Sequence, residues 1–160
     1  MGDEAQYLFR PMTILDVEQV CALEQICFAD PWSEKSMRDE IEKNELAYYG
    51  VIVPVEDTSK VVAYGGFWGI IDEGHITNIA VVPELRGKRL GQMLVTGLME
   101  IAKMRNIERM TLEVRVSNQS AQRLYERMGF ETQGIRKKYY EDKEDALIMW
   151  CELNKEGEDK

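Results

Sequence analysis

The stretch between Ile79 and Gly91 constrains the fold more than any other part of the chain. An apolar segment, residues 79–82, stops at Pro83 and is followed by a basic run with two glycines, residues 86–91. Apolar residues then recur every three or four positions, which predicts a helix with one apolar face: Leu90, Leu94, Leu98, Ile101 and Ala102. A strand that passes through such a turn into a helix presents unpaired backbone N–H groups to an anion. The sequence therefore predicts a pyrophosphate site at this turn.

The charge of the turn opposes that of the whole chain. Arg86, Lys88 and Arg89 lie within four residues, whereas the 160-residue chain has a formal net charge of -9. This reversal indicates either an anionic ligand or a solvated basic turn. A nucleoside triphosphatase loop is not indicated, because Gly91 is followed by Gln92 and Met93 instead of Lys and Ser or Thr. The three glycines of a dinucleotide fingerprint are also missing.

The composition argues against several classes of site and partner. With one histidine and three cysteines that show no Cys-x-x-Cys spacing, we expect neither a metal site nor a disulfide framework. The acidic balance argues against direct nucleic-acid binding, and no apolar run is long enough to span a membrane. We therefore expect a cytoplasmic protein with one domain over residues 1–160, a core at about 7–153 and a frayed tail at 154–160.

Strand and helix patterns alternate along the chain. Residues 7–12, 46–55, 61–71, 75–82, 110–116, 130–134 and 146–153 read as seven strands, with Asp72, Glu73 and Gly74 as a turn before the fourth. Four helices are predicted at about 16–28, 34–43, 89–105 and 119–128. Ser33 and Asn118 are expected to cap the second and fourth helices, and Gly129 to end the fourth.

The order of these motifs resembles the GNAT superfamily of N-acetyltransferases. The resemblance rests on residues 79–81, the basic glycine turn, the strand around Glu113, Asn118 and the run 124–130. The run 31–34 and residues 136–146 are similar to the bacterial ribosomal-protein-alanine N-acetyltransferases, which modify the N-terminus of ribosomal protein S18. The resemblance implies an α/β fold of the α+β type. Its central seven-stranded sheet is mixed and mostly antiparallel, is flanked by about four helices and splays between the fourth and fifth strands.

The resemblance also implies acetyl-CoA as the co-substrate and no metal. The pantetheine arm is expected to contact the backbone of the fourth strand at Ile79, Ala80 and Val81. The pyrophosphate is expected to contact the turn formed by Gly87, Lys88, Arg89, Leu90, Gly91 and Gln92. Asn118, further along the chain, is expected to contact the coenzyme as well. Arg89 stands where the family usually has its first glycine. Because the contacts are to backbone N–H groups, a side chain there need not block binding, but it could widen the turn or add a cation to the phosphates.

Two residues are implied as catalytic. Glu113 would take the proton from the acceptor amine, directly or through a water, and Tyr125 would protonate the departing thiolate. From spacing alone, Glu113 could instead pair with Arg115 or Arg109 on an exposed face. Tyr125 could equally be a core aromatic on the apolar side of its helix. Asn118 would cap its helix in either case.

The implied reaction is acetyl transfer to the N-terminal α-amine of a protein, the N-terminal alanine of S18, by direct attack in a ternary complex. Trp32, Tyr139 and Tyr140 flank the expected peptide site, although ordinary packing would explain them as well. The alternatives are an acetyltransferase for lysine or small amines, and a non-catalytic acyl-CoA-binding sensor. The sequence does not indicate the oligomeric state.

Overall fold

The computed structural model of the chain describes residues 6–153. The predicted tail at 154–160 lies outside the described residues. The described residues form seven strands, β1 Tyr7–Pro11, β2 Ala47–Pro54, β3 Ala63–Ile70, β4 Glu73–Val81, β5 Arg109–Arg115, β6 Glu131–Arg136 and β7 Ala146–Glu152. They also form four α-helices, α1 Val17–Cys27, α2 Glu34–Lys43, α3 Leu90–Met104 and α4 Gln119–Arg127. A 3₁₀ turn at Ile14–Asp16 leads into α1, and a second one, Pro83–Leu85, follows β4.

The strands form one mixed sheet in the order β1-β2-β3-β4-β5-β7-β6. The pairs β1/β2, β2/β3, β5/β7 and β6/β7 are antiparallel, and β4 is parallel to β5, with Glu73–His75 opposite Arg109–Thr111. The predicted mixed, mostly antiparallel sheet of seven strands with four helices is confirmed for the described residues. The expected splay beyond this parallel ladder stays a prediction.

The chain divides into two compact units. Unit 1 comprises the described residues up to Trp68 together with Thr77–Leu98, and unit 2 comprises Gly69–Ile76 together with the described residues from Met99 onward. The predicted assignment of the whole chain to one acetyltransferase domain stays a prediction. No helix among residues 6–153 is both long and apolar enough to cross a membrane.

Unit 1 has apolar packing on both faces of β2. Val51 and Val53 pack in one cluster with α1 and α2, whereas Ile52 packs in another with the start of α3. Successive strand residues point to opposite faces, so an uninterrupted apolar run is what a strand covered on both sides requires. The predicted apolar face of α3 is confirmed at the fully buried positions Leu94, Leu98 and Ala102.

Unit 2 is built around β7, which lies between β5 and β6. Seven residues of β5, from Arg109 to Arg115, pair with β7. The helix α4 ends as predicted at Gly129, whose φ of 100° is readily adopted only by glycine. The strand predicted to start at Phe130 begins at Glu131 and continues to Arg136. Phe130 itself is a buried core residue at the junction between α4 and this strand.

The hairpin between β3 and β4 differs from the prediction. Residues 72–74 were expected to form the turn, but the turn lies at Ile71 and Asp72, and β4 already begins at Glu73. Ile71 has a φ of 58° and is 93% exposed. A two-residue hairpin turn favours positive φ, which β-branched residues rarely adopt. The apolar character of Ile71 therefore suggested a strand residue and concealed the turn.

Candidate active site

The turn between β4 and α3 has the form that the sequence predicts. Gly87 has a φ of 88° and Arg89 a φ of 65°, so two left-handed residues frame Lys88. The helix starts at Leu90, and the Met93 N–H donates to the Arg89 carbonyl at 3.1 Å. An added Cβ at Gly87 would meet no atom within 4 Å. Glycine is therefore suited to this position by its backbone angle and not by a lack of space.

The amides of this turn are free to bind a ligand. Within the described part of the chain, the backbone N–H groups of residues 87–92 have no hydrogen-bond acceptor. The first N–H groups of any helix lack an intrahelical partner, and the helix dipole adds positive potential at that end. Arg86, Lys88 and Arg89 add three positive charges. This combination can hold a polyanion such as a pyrophosphate.

Arg89, at the position where the family usually has its first glycine, directly precedes the first residue of α3. Its left-handed backbone costs a non-glycine residue about 1 kcal/mol. Its side chain lines an open groove of about 420 Å³ with Phe9, Gln92, Met93, Thr96 and Gly97. Arg89 is exposed, and its carbonyl accepts the first helical hydrogen bond.

The middle of β4 departs from regular strand alternation. Thr77 and Asn78 are consecutive, yet Thr77 Oγ1 lies 3.3 Å from the Tyr49 hydroxyl, and Asn78 Nδ2 lies 2.9 Å from the Tyr64 hydroxyl. The rings of Tyr49 and Tyr64 stack on each other at a centroid distance of 6.4 Å. Neighbouring strand residues normally point to opposite faces, so this arrangement indicates a local bulge immediately before Ile79.

Cys27 lies beside the backbone that is predicted to bind the pantetheine arm. Its thiol donates to the Val81 carbonyl at 3.6 Å, and Arg86 Nη2 lies 3.4 Å from the sulfur. Cys27 is partly buried, whereas Cys21 and Cys151 are buried. The contact with Val81 joins residues 54 positions apart and leaves no signal in local spacing.

Two buried carboxylates in unit 1 were not identified from the sequence. Glu24 is 1% exposed and accepts hydrogen bonds from the Trp32 N–H, Asn78 and Tyr64. The sequence signal that could have revealed Glu24 is its place on the apolar face of α1, where it falls among the core positions. A charged residue at a core position requires buried partners. Burial together with this carboxylate raises the pKa of Tyr64.

The second of these carboxylates belongs to Glu40 on α2. It accepts hydrogen bonds from the Tyr49 hydroxyl at 2.7 Å, the Trp68 indole and the Asn44 side chain. Burial, together with the neighbouring Glu40, raises the pKa of Tyr49. This network and that of Glu24 connect α1 and α2 to β2, β3 and β4 within unit 1.

Glu113 lies on β5 in unit 2, with 26% of its side chain exposed. Its Oε2 accepts a hydrogen bond from Arg136 Nε at 3.2 Å. The alternative pairing with Arg115 or Arg109 is wrong. Arg115 pairs with Asp142 at 2.9 Å and with Glu144 at 2.8 Å. Arg109 pairs with Asp72, in the β3–β4 turn, at 3.4 Å. A partly exposed ion pair stabilises the fold by about 1 kcal/mol or less, so Glu113 can exchange Arg136 for another partner.

Tyr125 is 7% exposed, and its ring packs edge-to-face on Phe130 at 5.7 Å. The interpretation of Tyr125 as a core aromatic is thus supported by its burial. Burial also raises the pKa of its phenol. Among residues 6–153 the Tyr125 hydroxyl has no hydrogen-bond partner, yet no fully buried polar side-chain atom there lacks one. The hydroxyl is therefore not completely enclosed, and its raised pKa keeps the phenol protonated, which is the form that a proton donor needs.

The remaining predicted residues of unit 2 have defined local partners. Asn118 caps α4, since its Oδ1 accepts from the Ala121 N–H at 3.1 Å, as predicted. Tyr139 and Tyr140 contact each other at right angles, with ring centroids 5.0 Å apart. The Arg115 guanidinium lies 4.0 Å from the centre of the Tyr140 ring. Burial raises the pKa of Tyr140 to about 12, and Tyr139 stays half exposed.

The structure thus groups the predicted site residues in two sets. The amides of residues 87–92, the strand residues Ile79, Ala80 and Val81, and Trp32 belong to unit 1. Glu113, Asn118, Tyr125, Tyr139 and Tyr140 belong to unit 2. No group of three or more His, Cys, Asp or Glu side chains among the described residues is arranged to hold a metal ion.

The chain is similar to known proteins over most of its length. Residues 17–130 match the family model described as the acetyltransferase (GNAT) family. A Bacillus subtilis protein provisionally named a ribosomal protein bS18-alanine N-acetyltransferase is 42% identical over 146 residues, which cover 91% of this chain and 95% of that protein. The bS18-alanine N-acetyltransferase of Escherichia coli K12 is 33% identical over 137 residues, with coverages of 84% and 89%.

A solved structure supports the same assignment. The crystal structure of the ribosomal-protein-S18-alanine N-acetyltransferase from Escherichia coli superposes with a TM-score of 0.81 at 30% identity. The match covers 92% of this chain and 94% of that one. The predicted fold and the predicted enzyme class are therefore confirmed. The chain belongs to the GNAT family of N-acetyltransferases.

Proposed function

We propose that this N-acetyltransferase uses acetyl-CoA to acetylate the N-terminal alanine of ribosomal protein S18 in the cytoplasm. The observation that carries the proposal is the run of acceptor-free amides at residues 87–92, in a chain whose relatives are named S18-alanine N-acetyltransferases. These amides and the neighbouring cations suit a pyrophosphate. The named relatives supply the acceptor.

The residues present fit acetyl-CoA as the donor. In this proposal the turn at Gly87, Lys88, Arg89, Leu90, Gly91 and Gln92 holds the pyrophosphate. The backbone of Ile79, Ala80 and Val81 holds the pantetheine arm. Asn118 contributes through its side-chain amide, because its oxygen already caps α4 while its nitrogen is available. Acetyl-CoA itself supplies the activated acetyl group, so direct transfer requires no acetylated enzyme side chain.

The protein must deprotonate the acceptor and protonate the leaving group. An α-amino group has a pKa of about 7.7 to 8.0, so much of it is protonated at neutral pH and cannot attack. Glu113 takes this proton, directly or through a water, after exchanging its exposed contact with Arg136. Tyr125 donates the phenolic proton that the departing thiolate needs. The raised pKa of Tyr125 keeps that proton in place until then.

The acceptor peptide is assigned to Trp32, Tyr139 and Tyr140. The half-exposed Tyr139 presents an aromatic surface to a peptide backbone, while Tyr140 is fixed under Arg115. A net charge of -9 favours encounter with a basic ribosomal-protein terminus. The charge increases the encounter rate and does not itself select alanine.

The direct test is acetyl transfer to a peptide beginning Ala-Arg, with the modified nitrogen located by mass spectrometry. We expect transfer to the α-amine and none to a version of the peptide that is blocked at its N-terminus but carries a free lysine. Transfer to lysine or to polyamines alone would instead identify an acetyltransferase for those amines. Acetyl-CoA binding without transfer to any amine would identify a sensor.

Glu113→Gln tests the mechanism within that assay. We expect turnover to fall by about a hundredfold or more, the usual contribution of a general base, while acetyl-CoA binding stays nearly unchanged. Glu131→Gln, a substitution of the same type at an exposed position of β6, should leave turnover unchanged. If Glu113→Gln turned over at the wild-type rate, Glu113 would have no part in proton transfer.

A further inference from the structure

The carboxylate of Glu24 joins three separate segments of unit 1. Its Oε1 accepts from the Trp32 backbone N–H at 3.1 Å. Its Oε2 accepts from Asn78 Nδ2 at 2.6 Å and from the Tyr64 hydroxyl. All three donors are neutral. Because a carboxylate buried without a cation is costly unless its oxygens accept several hydrogen bonds, the position of each donor is closely specified.

The contact with Oε1 fixes a loop that has little other backbone support. Residues 28–33 connect α1 to α2 without regular structure. Among the described residues, the Trp32 N–H supplies the only backbone hydrogen bond of the loop interior, residues 29–32. The Trp32 side chain packs against the cluster formed by α1, α2 and β2. Without the Glu24 contact, the loop backbone would regain conformational freedom on either side of that ring.

The contacts with Oε2 fix β4, the strand whose backbone is proposed to bind the pantetheine arm of the acetyl donor. Asn78 directly precedes Ile79, the first of the three residues assigned to the pantetheine arm, and lies at the bulge of β4. It also donates to the Tyr64 hydroxyl at 2.9 Å, so the amide group cannot rotate without losing two hydrogen bonds. One buried side chain thus sets the position of β4 and of the Trp32 loop together.

We propose that Glu24 is a positioning residue for the acceptor peptide. Its two oxygens hold the Trp32 loop at a fixed position relative to the segment Ile79–Val81, so that the peptide binds with its N-terminus at the acetyl donor. This inference rests on the proposed function, because it takes Trp32 as a peptide contact. Glu24 touches neither substrate and acts through the loop.

Glu24→Gln tests the inference with little change in side-chain volume. Glutamine has one acceptor oxygen where glutamate has two. The orientation that keeps more hydrogen bonds gives this oxygen to Asn78 and Tyr64, so the Trp32 N–H loses its acceptor. Losing the loop contact should raise the KM for the Ala-Arg peptide by about tenfold, the effect of one lost hydrogen bond to a charged group. The kcat and the Kd for acetyl-CoA should stay within about twofold of the wild type.

Tyr64→Phe is the matched control. It removes one donor from Oε2 and leaves the contact between Oε1 and Trp32 intact. It should lower the stability of the fold while leaving the peptide KM within about twofold of the wild type. An unchanged peptide KM in folded Glu24→Gln would overturn the proposal. So would an equal rise of KM in the two variants, because that would reflect general loosening of unit 1.

Hydrogen exchange gives a readout that requires no substrate. In the wild type the Trp32 amide should exchange at least about tenfold more slowly than the amides of Ala29 and Asp30, since it alone has an acceptor. Glu24→Gln should remove this protection, and Tyr64→Phe should preserve it. Equal exchange at all three wild-type amides would overturn the inference even if Glu24→Gln failed to fold. If the wild type showed the protection but acetylated no peptide, the proposed function would fail, while the contact between Glu24 and the Trp32 loop would be supported.

Discussion

The energetic cost of the left-handed backbone at Arg89 can be measured by comparing two substitutions at this position. Replacing Arg89 by glycine removes the clash between Cβ and the backbone, and replacing it by alanine removes the same guanidinium but keeps Cβ. The clash costs about 1 to 2 kcal/mol, and the extra freedom of glycine in the unfolded chain offsets about 0.5 kcal/mol of it. We expect Arg89→Gly to be more stable than Arg89→Ala by about 1 kcal/mol, or about 2 to 4 °C in Tm for a chain of this length.

Thermal and urea unfolding followed by circular dichroism would measure this difference. Lys88 provides the internal reference, because it is the adjacent basic residue and does not have a positive φ. Lys88→Gly should therefore be no more stable than Lys88→Ala, the opposite order from that at Arg89. If Arg89→Gly were no more stable than Arg89→Ala, the backbone of this turn would not carry the strain described above.

Two further outcomes follow from local contacts. Asn118→Ala should lower the free energy of unfolding by about 1 kcal/mol through loss of the cap on α4, and Asn118→Ser should restore most of it; urea unfolding of both variants checks this. Burial alone would raise the pKa of Asp16, but hydrogen bonds from Arg10 and Thr13 outweigh it and lower the pKa. Its contribution to stability is therefore present above the unfolded pKa and is lost as pH falls through the lower, folded value. Asp16→Asn should be less stable than the wild type by about 2 kcal/mol at neutral pH, and the gap should narrow as pH falls below about 4; an unchanged gap in unfolding experiments across that range would contradict the assignment.

Much of the fold could be predicted because its signals are local. The capping side chains of Ser33 and Asn118 lie within three residues of the amides that they bind, and Gly129 ends a helix by its own backbone angle. The strand β2, which is buried from Tyr49 to Pro54, gives an apolar run in the sequence. The turn at Ile71 was missed because the backbone of a tight hairpin overrode the strand preference of a β-branched side chain.

The parts of the site that escaped prediction depend on distant partners. Glu113 bonds Arg136 across 23 residues, and Glu24 reaches Asn78 across 54. Strand alternation indicated only on which face Glu113 would lie. It could not show that Arg115, two residues away, would be held by the carboxylates of Asp142 and Glu144. A resemblance to a family identified the candidate residues, but their neighbours are set by tertiary packing.

The central place of β7 in unit 2 has a consequence for how the protein is made. Residues 146–152 pair with β5 on one side and β6 on the other, and both of those strands are synthesised earlier. While the ribosome is still translating this region, β5 and β6 are already made but lack the strand that joins them. Both therefore expose backbone groups that a chaperone or another nascent chain can pair with, until β7 leaves the exit tunnel and closes the gap.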